Sequence, residues 1–344
     1  MAESYAFANT VWLLGVFIFF IRPKNCSYDD IAMSRVFFSL SRTYRSLLLP
    51  FSISMLVSLM FLYQIKDVLF IDRSSFSRLD IIYKVGQSGW YLKYIVISYA
   101  WVLFLYRDAK LISFSRFCFF LIPVALYFYS QSIIGSRREI IFIILFFTIS
   151  KVVKNGGAIS FRTLLLSLTA AFLFIFIGVV RSTTGSGLVT LLVNSFGEFL
   201  FPISTFQYYI SSGHSDFQLG LTYIYSLFNF VPKEVFPNKP LPLAVDFAVM
   251  LAGPGAKTIM GYAFTPLSEA YVNFGKLSVI LFPLLLAFVS SCIEFAFKRS
   301  FIIHFLMFSQ CLNFQRSDIS SIFFETVMLC SCTYILIFFS SKRN

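Results

Sequence analysis

The sequence predicts an all-α membrane protein, a single polytopic bundle of about nine to eleven transmembrane helices with one long loop on its outer face. Three observations carry that expectation. Of the 344 residues, 58% are hydrophobic and only 13% charged, too few polar groups to cover a water-facing surface. Mean hydropathy is correspondingly high, at +0.80. Apolar runs such as FFLIPVALYFY and IFIILFFTI recur along the whole length, and no polar stretch is long enough to form a separate domain.

Each span follows from the need for about 20 mostly apolar residues to cross the hydrocarbon core. Candidates fall at 5–21, 46–65, 92–106, 111–134, 139–152, 163–180, 276–297, 300–315 and 319–340. The first has Glu3 before it and Arg22 and Lys24 after it, the reverse of a secretory signal, so it is expected to remain as an uncleaved helix. The spans 139–152 and 300–315 are short and reach across with help from snorkelling flanks. Residues 187–210 are apolar enough to span, but Glu198 and Pro202 near their middle favour a broken or re-entrant helix lining a cavity. On this layout 181–275 is a long outer segment.

Lys and Arg choose the side. One face collects fourteen of them on short connections, from Arg22 and Lys24 to Lys342 and Arg343, against only Asp29, Asp30 and Asp108. That face is expected to be cytoplasmic, which puts the N-terminus outside and the C-terminus inside. The net charge of +12 then reports topology, with anionic lipid head groups as partners. Nucleic-acid binding is disfavoured, because no soluble basic domain exists to carry it. The six cysteines show no paired metal-ligand spacing and are expected to act as small buried hydrophobes.

Polar groups collect on the outer face. GSRRE at 135–139 presents Arg137 and Arg138 in a tight turn, and Arg181 follows the sixth span. The long segment adds His214, and EAYVNFG at 269–275 brings Glu269, Tyr271 and Asn273 to the start of a late span. QRSD adds Arg316 and Asp318 between the last two spans. Each has a plain structural reading as well. Arg137 and Arg138 could be interfacial anchors, and Arg181 and Arg316 helix-end snorkels. His214 could be a solvated loop residue, and Glu269 a helix cap. Glu198 and Glu325 sit inside apolar stretches, where a lone acid is a functional hypothesis by default.

Arginine rather than lysine suits a diphosphate, since the planar guanidinium donates paired hydrogen bonds to phosphate oxygens. No nucleotide-binding glycine loop and no HExxH occurs. An enzyme on the outer face has no ATP, and needs an activated substrate delivered within the membrane. A polyprenyl diphosphate-linked sugar is such a substrate.

GSRRE after an aromatic-rich span, Arg181 opening a long outer segment, and GYAFTPLSEAYVNFG before a late span together resemble the O-antigen polymerases, or oligosaccharide repeat-unit polymerases. The specific residues lie around 135–139, 181–203 and 261–275, while hydropathy carries the likeness over the rest. The resemblance implies a bacterial inner-membrane glycosyltransferase of GT-C-like architecture working on the periplasmic side. It implies a growing glycan moved from one undecaprenyl diphosphate carrier onto the next lipid-linked repeat unit. Partners would be a flippase and a chain-length regulator of the same pathway, with no cofactor and no metal. In that chemistry Arg137, Arg138, Arg181 and Arg316 would stabilise the leaving diphosphate. Glu269 is the first candidate for the base that receives the acceptor hydroxyl's proton, and His214 the second. Tyr271, Asn273 and Glu198 would help to bind the sugars. An O-antigen ligase, which would use a loop histidine such as His214, and a lipid-linked oligosaccharide flippase remain the alternatives.

Overall fold

The computed structural model describes residues 44–66, 90–134, 201–212, 216–231, 235–253, 264–278, 281–284 and 317–340, with scattered positions between 143 and 172. Among the described residues the chain is mostly helical and contains no strand. The helices are α1 (Leu48–Gln64), α2 (Lys93–Asp108), α3 (Phe114–Phe120), α4 (Ile122–Ile134), α5 (Phe201–Ser211), α6 (Leu221–Leu227), α7 (Leu243–Ala252), α8 (Pro266–Phe274) and α9 (Ile319–Ser340).

Two of them are long and apolar enough to cross a membrane: α1 with its preceding turn, from Arg45 to Gln64, and α9. At 22 residues α9 is about 33 Å long, enough for a hydrocarbon core of about 30 Å. A third candidate is the expected span 111–134, which is two helices meeting at a 45° bend. Pro123 lies at the second position of α4, where a missing N–H and a fixed φ are tolerated, and it prevents α3 from running on unbroken. The expected span 92–106 is α2, whose 16 residues reach about 24 Å. Spans 5–21, 139–152, 163–180, 300–315 and most of 276–297 lie wholly or mostly outside the described residues.

The chain divides into two compact units. The described part of one falls within Tyr28–Ser195 and Val327–Asn344, and that of the other within Phe196–Thr326. In the former, α2 is buried along nearly all its length, including Tyr94, Tyr99, Trp101 and Tyr106. Two of its tyrosines reach backbone carbonyls: Tyr99 Oη donates to Phe120 O at 2.8 Å and Tyr106 Oη to Ser340 O at 2.8 Å.

Helix α1 is inverted relative to a helix of a water-soluble protein. It buries Ser54 and Ser58 and exposes Leu48, Leu49, Leu56 and Leu59. Ser58 Oγ donates to the Pro123 carbonyl at 2.8 Å, an interhelical bond that a leucine could not make. Small polar residues inward and leucines outward is the packing of helices whose outer surface meets hydrocarbon. The cysteines depart from expectation in the same region. Cys118 is exposed and Cys330 and Cys332 are half-buried, because α3 and α9 turn those positions outward, where an apolar thiol is also at home.

The segment expected as a long outer loop contains four helices among its described residues, since α5, α6, α7 and α8 all fall within it. Its core gathers Phe206 and Tyr209 of α5, Phe247 of α7, and Phe264, Leu267, Tyr271 and Phe282 from the region of α8. The rings meet mainly edge to face, as between Phe206 and Tyr271 at 5.5 Å and between Tyr208 and Phe247 at 5.4 Å.

A candidate carboxylate cleft

Helix α8 is built by its own sequence. Thr265 is extended (φ −123°, ψ 154°) and its Oγ1 accepts the Ser268 N–H at 3.1 Å, while Pro266 occupies the first turn. Gly275 ends it with φ +58° and ψ −141°, a conformation almost restricted to glycine. A Cβ at that position would stand 2.7 Å from the Phe217 ring. EAYVNFG is therefore most of a separate short helix with its stop signal, rather than the opening turn of the next span.

Residues 218–222 strap across the end of α8. The N–H groups of Gln218 and Leu219 donate to the carbonyls of Val272 and Asn273, both at 3.1 Å. Asn273 then binds on both sides of its amide. Its Oδ1 accepts the Gly220 N–H at 2.8 Å, and its Nδ2 donates to Thr222 Oγ1 at 2.6 Å and to the Glu269 carbonyl at 2.9 Å. The Gly220 turn, at φ +90°, presents that N–H to the amide.

Glu269 has no exposed surface, and both of its carboxyl oxygens are engaged. Oε1 accepts from Thr222 Oγ1 at 2.8 Å, and Oε2 accepts the backbone N–H of Ile319 at 2.7 Å. Ile319 is the first residue of α9, so the carboxylate sits at a helix N-terminus, though not that of its own helix. Asp318, also without exposed surface, caps the same helix, its Oδ1 accepting the Ser321 N–H at 3.1 Å. Its Oδ2 is buried and makes no hydrogen bond.

Burial, and secondarily the charge of Asp318, push the Glu269 carboxyl up to about 8 against the lowering donors Ile319 and Thr222. Burial also raises Asp318 above the ordinary carboxylate range, opposed by Ser321 and by the nearby amide of Ala244. A hydroxyl can donate or accept, so the Thr222–Glu269 contact survives protonation of the carboxyl.

Both acids line a cleft of about 230 Å³. Its polar wall comes from Gln218, Thr222, Tyr225, Asn229, Asp246 and Ser320, and its apolar wall from residues 240–243. Asn229 is fixed by a hydrogen bond from its Nδ2 to Ser320 Oγ. Lys239 Nζ turns aside to the carbonyls of Asn229 and Val231, at 2.9 and 3.2 Å. No Lys or Arg is among the described lining residues. No group of three or more His, Cys, Asp and Glu side chains able to hold a metal occurs among the described residues.

Of the residues singled out from the sequence, Glu269 lines this cleft and Asn273 supports it from behind. Tyr271 is placed elsewhere, since α8 turns its ring into the apolar core against Phe206. Arg137, Arg138, Arg181, Glu198, His214 and Arg316 lie outside the described residues. Glu325 is buried within α9 and is not part of the cleft. Sequence reasoning passed over Thr222 and the roles of Asp246 and Asp318 in the cleft. For Asp318 a signal existed, an acid directly before a long apolar run, which is the mark of a helix cap. Thr222 and Asp246 carry no such local mark. Comparisons of the chain with protein-family models, with curated proteins and with solved structures found no match.

Proposed function

We propose that this chain is a bacterial inner-membrane glycosyltransferase. It polymerises oligosaccharide repeat units carried on undecaprenyl diphosphate into O-antigen or a related surface polysaccharide, with its active site facing the periplasm. The observation that carries the reading is the cleft at Glu269. It is lined by hydroxyl, amide and carboxylate groups, the donors and acceptors that match sugar hydroxyls, in a chain with helices long and apolar enough to cross a membrane. An acceptor hydroxyl, with a pKa far above 7, needs such an acceptor beside it.

In this proposal the chain forms a polytopic bundle of about nine to eleven helices. The donor diphosphate is held by arginines on the outer face, with Arg137, Arg138, Arg181 and Arg316 as candidates. A flippase supplies the units and a chain-length regulator meets the enzyme in the membrane.

The test is a lipopolysaccharide gel of the native host with the gene deleted, carrying either an empty vector or wild type. Wild type restoring a ladder, where the deletion shows core plus a single repeat unit, supports polymerisation. Loss of all O-antigen in the deletion, with long glycan accumulating on the lipid carrier, makes the protein a ligase. Loss without such glycan makes it a flippase.

A further inference from the structure

We propose that Asp318 is the catalytic base of this site, taking the proton of an acceptor-sugar hydroxyl bound in the cleft, and that Glu269 is a positioning residue. The inference rests on the glycosyl-transfer reading above and assigns its proton acceptor.

The two carboxylates differ in what is left to do. Glu269 has spent both oxygens, one on Thr222 and one on the Ile319 N–H. Asp318 has spent Oδ1 on the Ser321 N–H, and the amide of Ala244 lies near its carboxyl. Its Oδ2 is a buried acceptor with no donor, on a side chain that lines the cleft and has no exposed surface. An unsatisfied buried oxygen is a standing destabilisation and is rare in folded proteins. It is explained where a ligand brings the missing donor, and a sugar hydroxyl is such a donor.

The cleft also states what it rejects. Asp246, Glu269 and Asp318 line it with no Lys or Arg among the described lining residues, so that lining favours a hydroxyl-bearing ring over a phosphate group. Its volume of about 230 Å³ is below the roughly 300–1,000 Å³ of sites for drug-sized ligands, which suits one sugar ring and not an oligosaccharide. It is thus the subsite of the acceptor's terminal residue, with the donor's anomeric carbon and its diphosphate brought up beside the acceptor hydroxyl at its edge.

The step balances without a co-reactant. The acceptor O–H proton passes to Asp318 Oδ2 as the oxygen bonds to the anomeric carbon of the donor. The bond from that carbon to the phosphate oxygen breaks, and undecaprenyl diphosphate leaves with the electron pair. Burial and the charge of Asp318 hold the Glu269 carboxyl above the ordinary carboxylate range, which favours its protonated form beside Asp318. Tyr225 and Asp246 are the other titratable groups on the cleft, and neither contacts the N-terminal N–H groups of α9 that hold the pair.

The experiment uses the full chain, reconstituted in vesicles with undecaprenyl diphosphate-linked repeat units, and follows elongation on gels alongside thermal melting. Asp318→Asn keeps the cap acceptor and removes the base, and Glu269→Gln mimics the protonated acid. The expected result is a loss of about 10²-fold or more in kcat for Asp318→Asn, with KM and melting close to wild type. Glu269→Gln should stay within about tenfold of wild type. If Asp318→Asn elongates within about threefold of wild type, the base role is overturned and the polymerase reading stands. If Asp318→Asn and Asp318→Ser both melt well below wild type, Asp318 is a structural cap and the proposal fails. Wild type that does not elongate at all overturns the functional reading, and the role of Asp318 with it.

Discussion

Glu269 closes a helix that begins fifty positions later in the chain, its Oε2 accepting the Ile319 N–H at 2.7 Å. The contact joins α8 to the first turn of α9, where Asp318 caps the same turn. Removing the carboxyl strands two buried donors, the Thr222 hydroxyl and the Ile319 amide, at roughly 1–3 kcal/mol each. Glu269→Ala should therefore lower the melting temperature substantially, and Glu269→Gln, which keeps one acceptor, by less. Equal melting temperatures for the two variants would contradict this account.

The same residue sets a pH dependence of stability. The folded chain holds the Glu269 proton up to about 8, whereas an ordinary glutamate loses it near 4.5. The native state thus binds the proton more tightly than the unfolded state. The contribution is fully present below about 4.5, declines as pH rises towards about 8, and is flat above that. Melting measured across this range should show the decline in wild type and a smaller one in Glu269→Gln, where only the raised carboxyl of Asp318 remains.

Asn273 holds the 218–222 strap to α8 by receiving the Gly220 N–H and donating to Thr222. Asn273→Ala removes both bonds together with the one to the Glu269 carbonyl. Amide hydrogen exchange at Gly220 and its neighbours should speed up by at least about tenfold, the equivalent of about 1.4 kcal/mol of local opening. Protection in α7 should hardly change, because its contacts do not pass through Asn273.

Gly275 is required by both its backbone and its surroundings. Alanine there meets a φ of +58° and a Phe217 ring carbon 2.7 Å away. Gly275→Ala should destabilise the chain by about 1–3 kcal/mol from the backbone conformation alone, read as a fall in melting temperature. A combined Phe217→Ala change should recover only the steric part of the loss.

The inverted pattern of α1 predicts which residues touch lipid. A nitroxide-labelled cysteine at Leu56, 68% exposed, should be relaxed by oxygen dissolved in the bilayer and not by a water-soluble nickel complex. The label belongs in a background without native cysteines, since Cys118 is exposed too. Relaxation by the nickel complex would place that face in water.

The sequence by itself determined the helical character and the long apolar helices α1 and α9. Apolar runs of about 20 residues, as in α1 and α9, report their own secondary structure and solvent, because length and hydropathy act locally. Thr265–Pro266 and Gly275 mark the ends of α8 for the same reason: capping and positive φ are properties of one or two residues. The bend at 121–123 was legible in Pro123 once the proline was given weight.

The partners of those elements are a different matter. Sequence placed Glu269 at the mouth of the span that follows it, whereas the folded chain sends its carboxylate to Ile319 and joins it to Thr222, 47 residues before it. It also treated 181–275 as an outer loop, although its described residues include helices that pack around an aromatic core. Tyr271 and Glu269 stand two residues apart in one apolar-polar string, and only packing decides that the first enters the core and the second the cleft. The physical reason is range. Burial, like-charge proximity and unsatisfied acceptors depend on which distant segments meet, so the coupling of Glu269 with Asp318 came into being only when α8, the strap and the start of α9 were brought together.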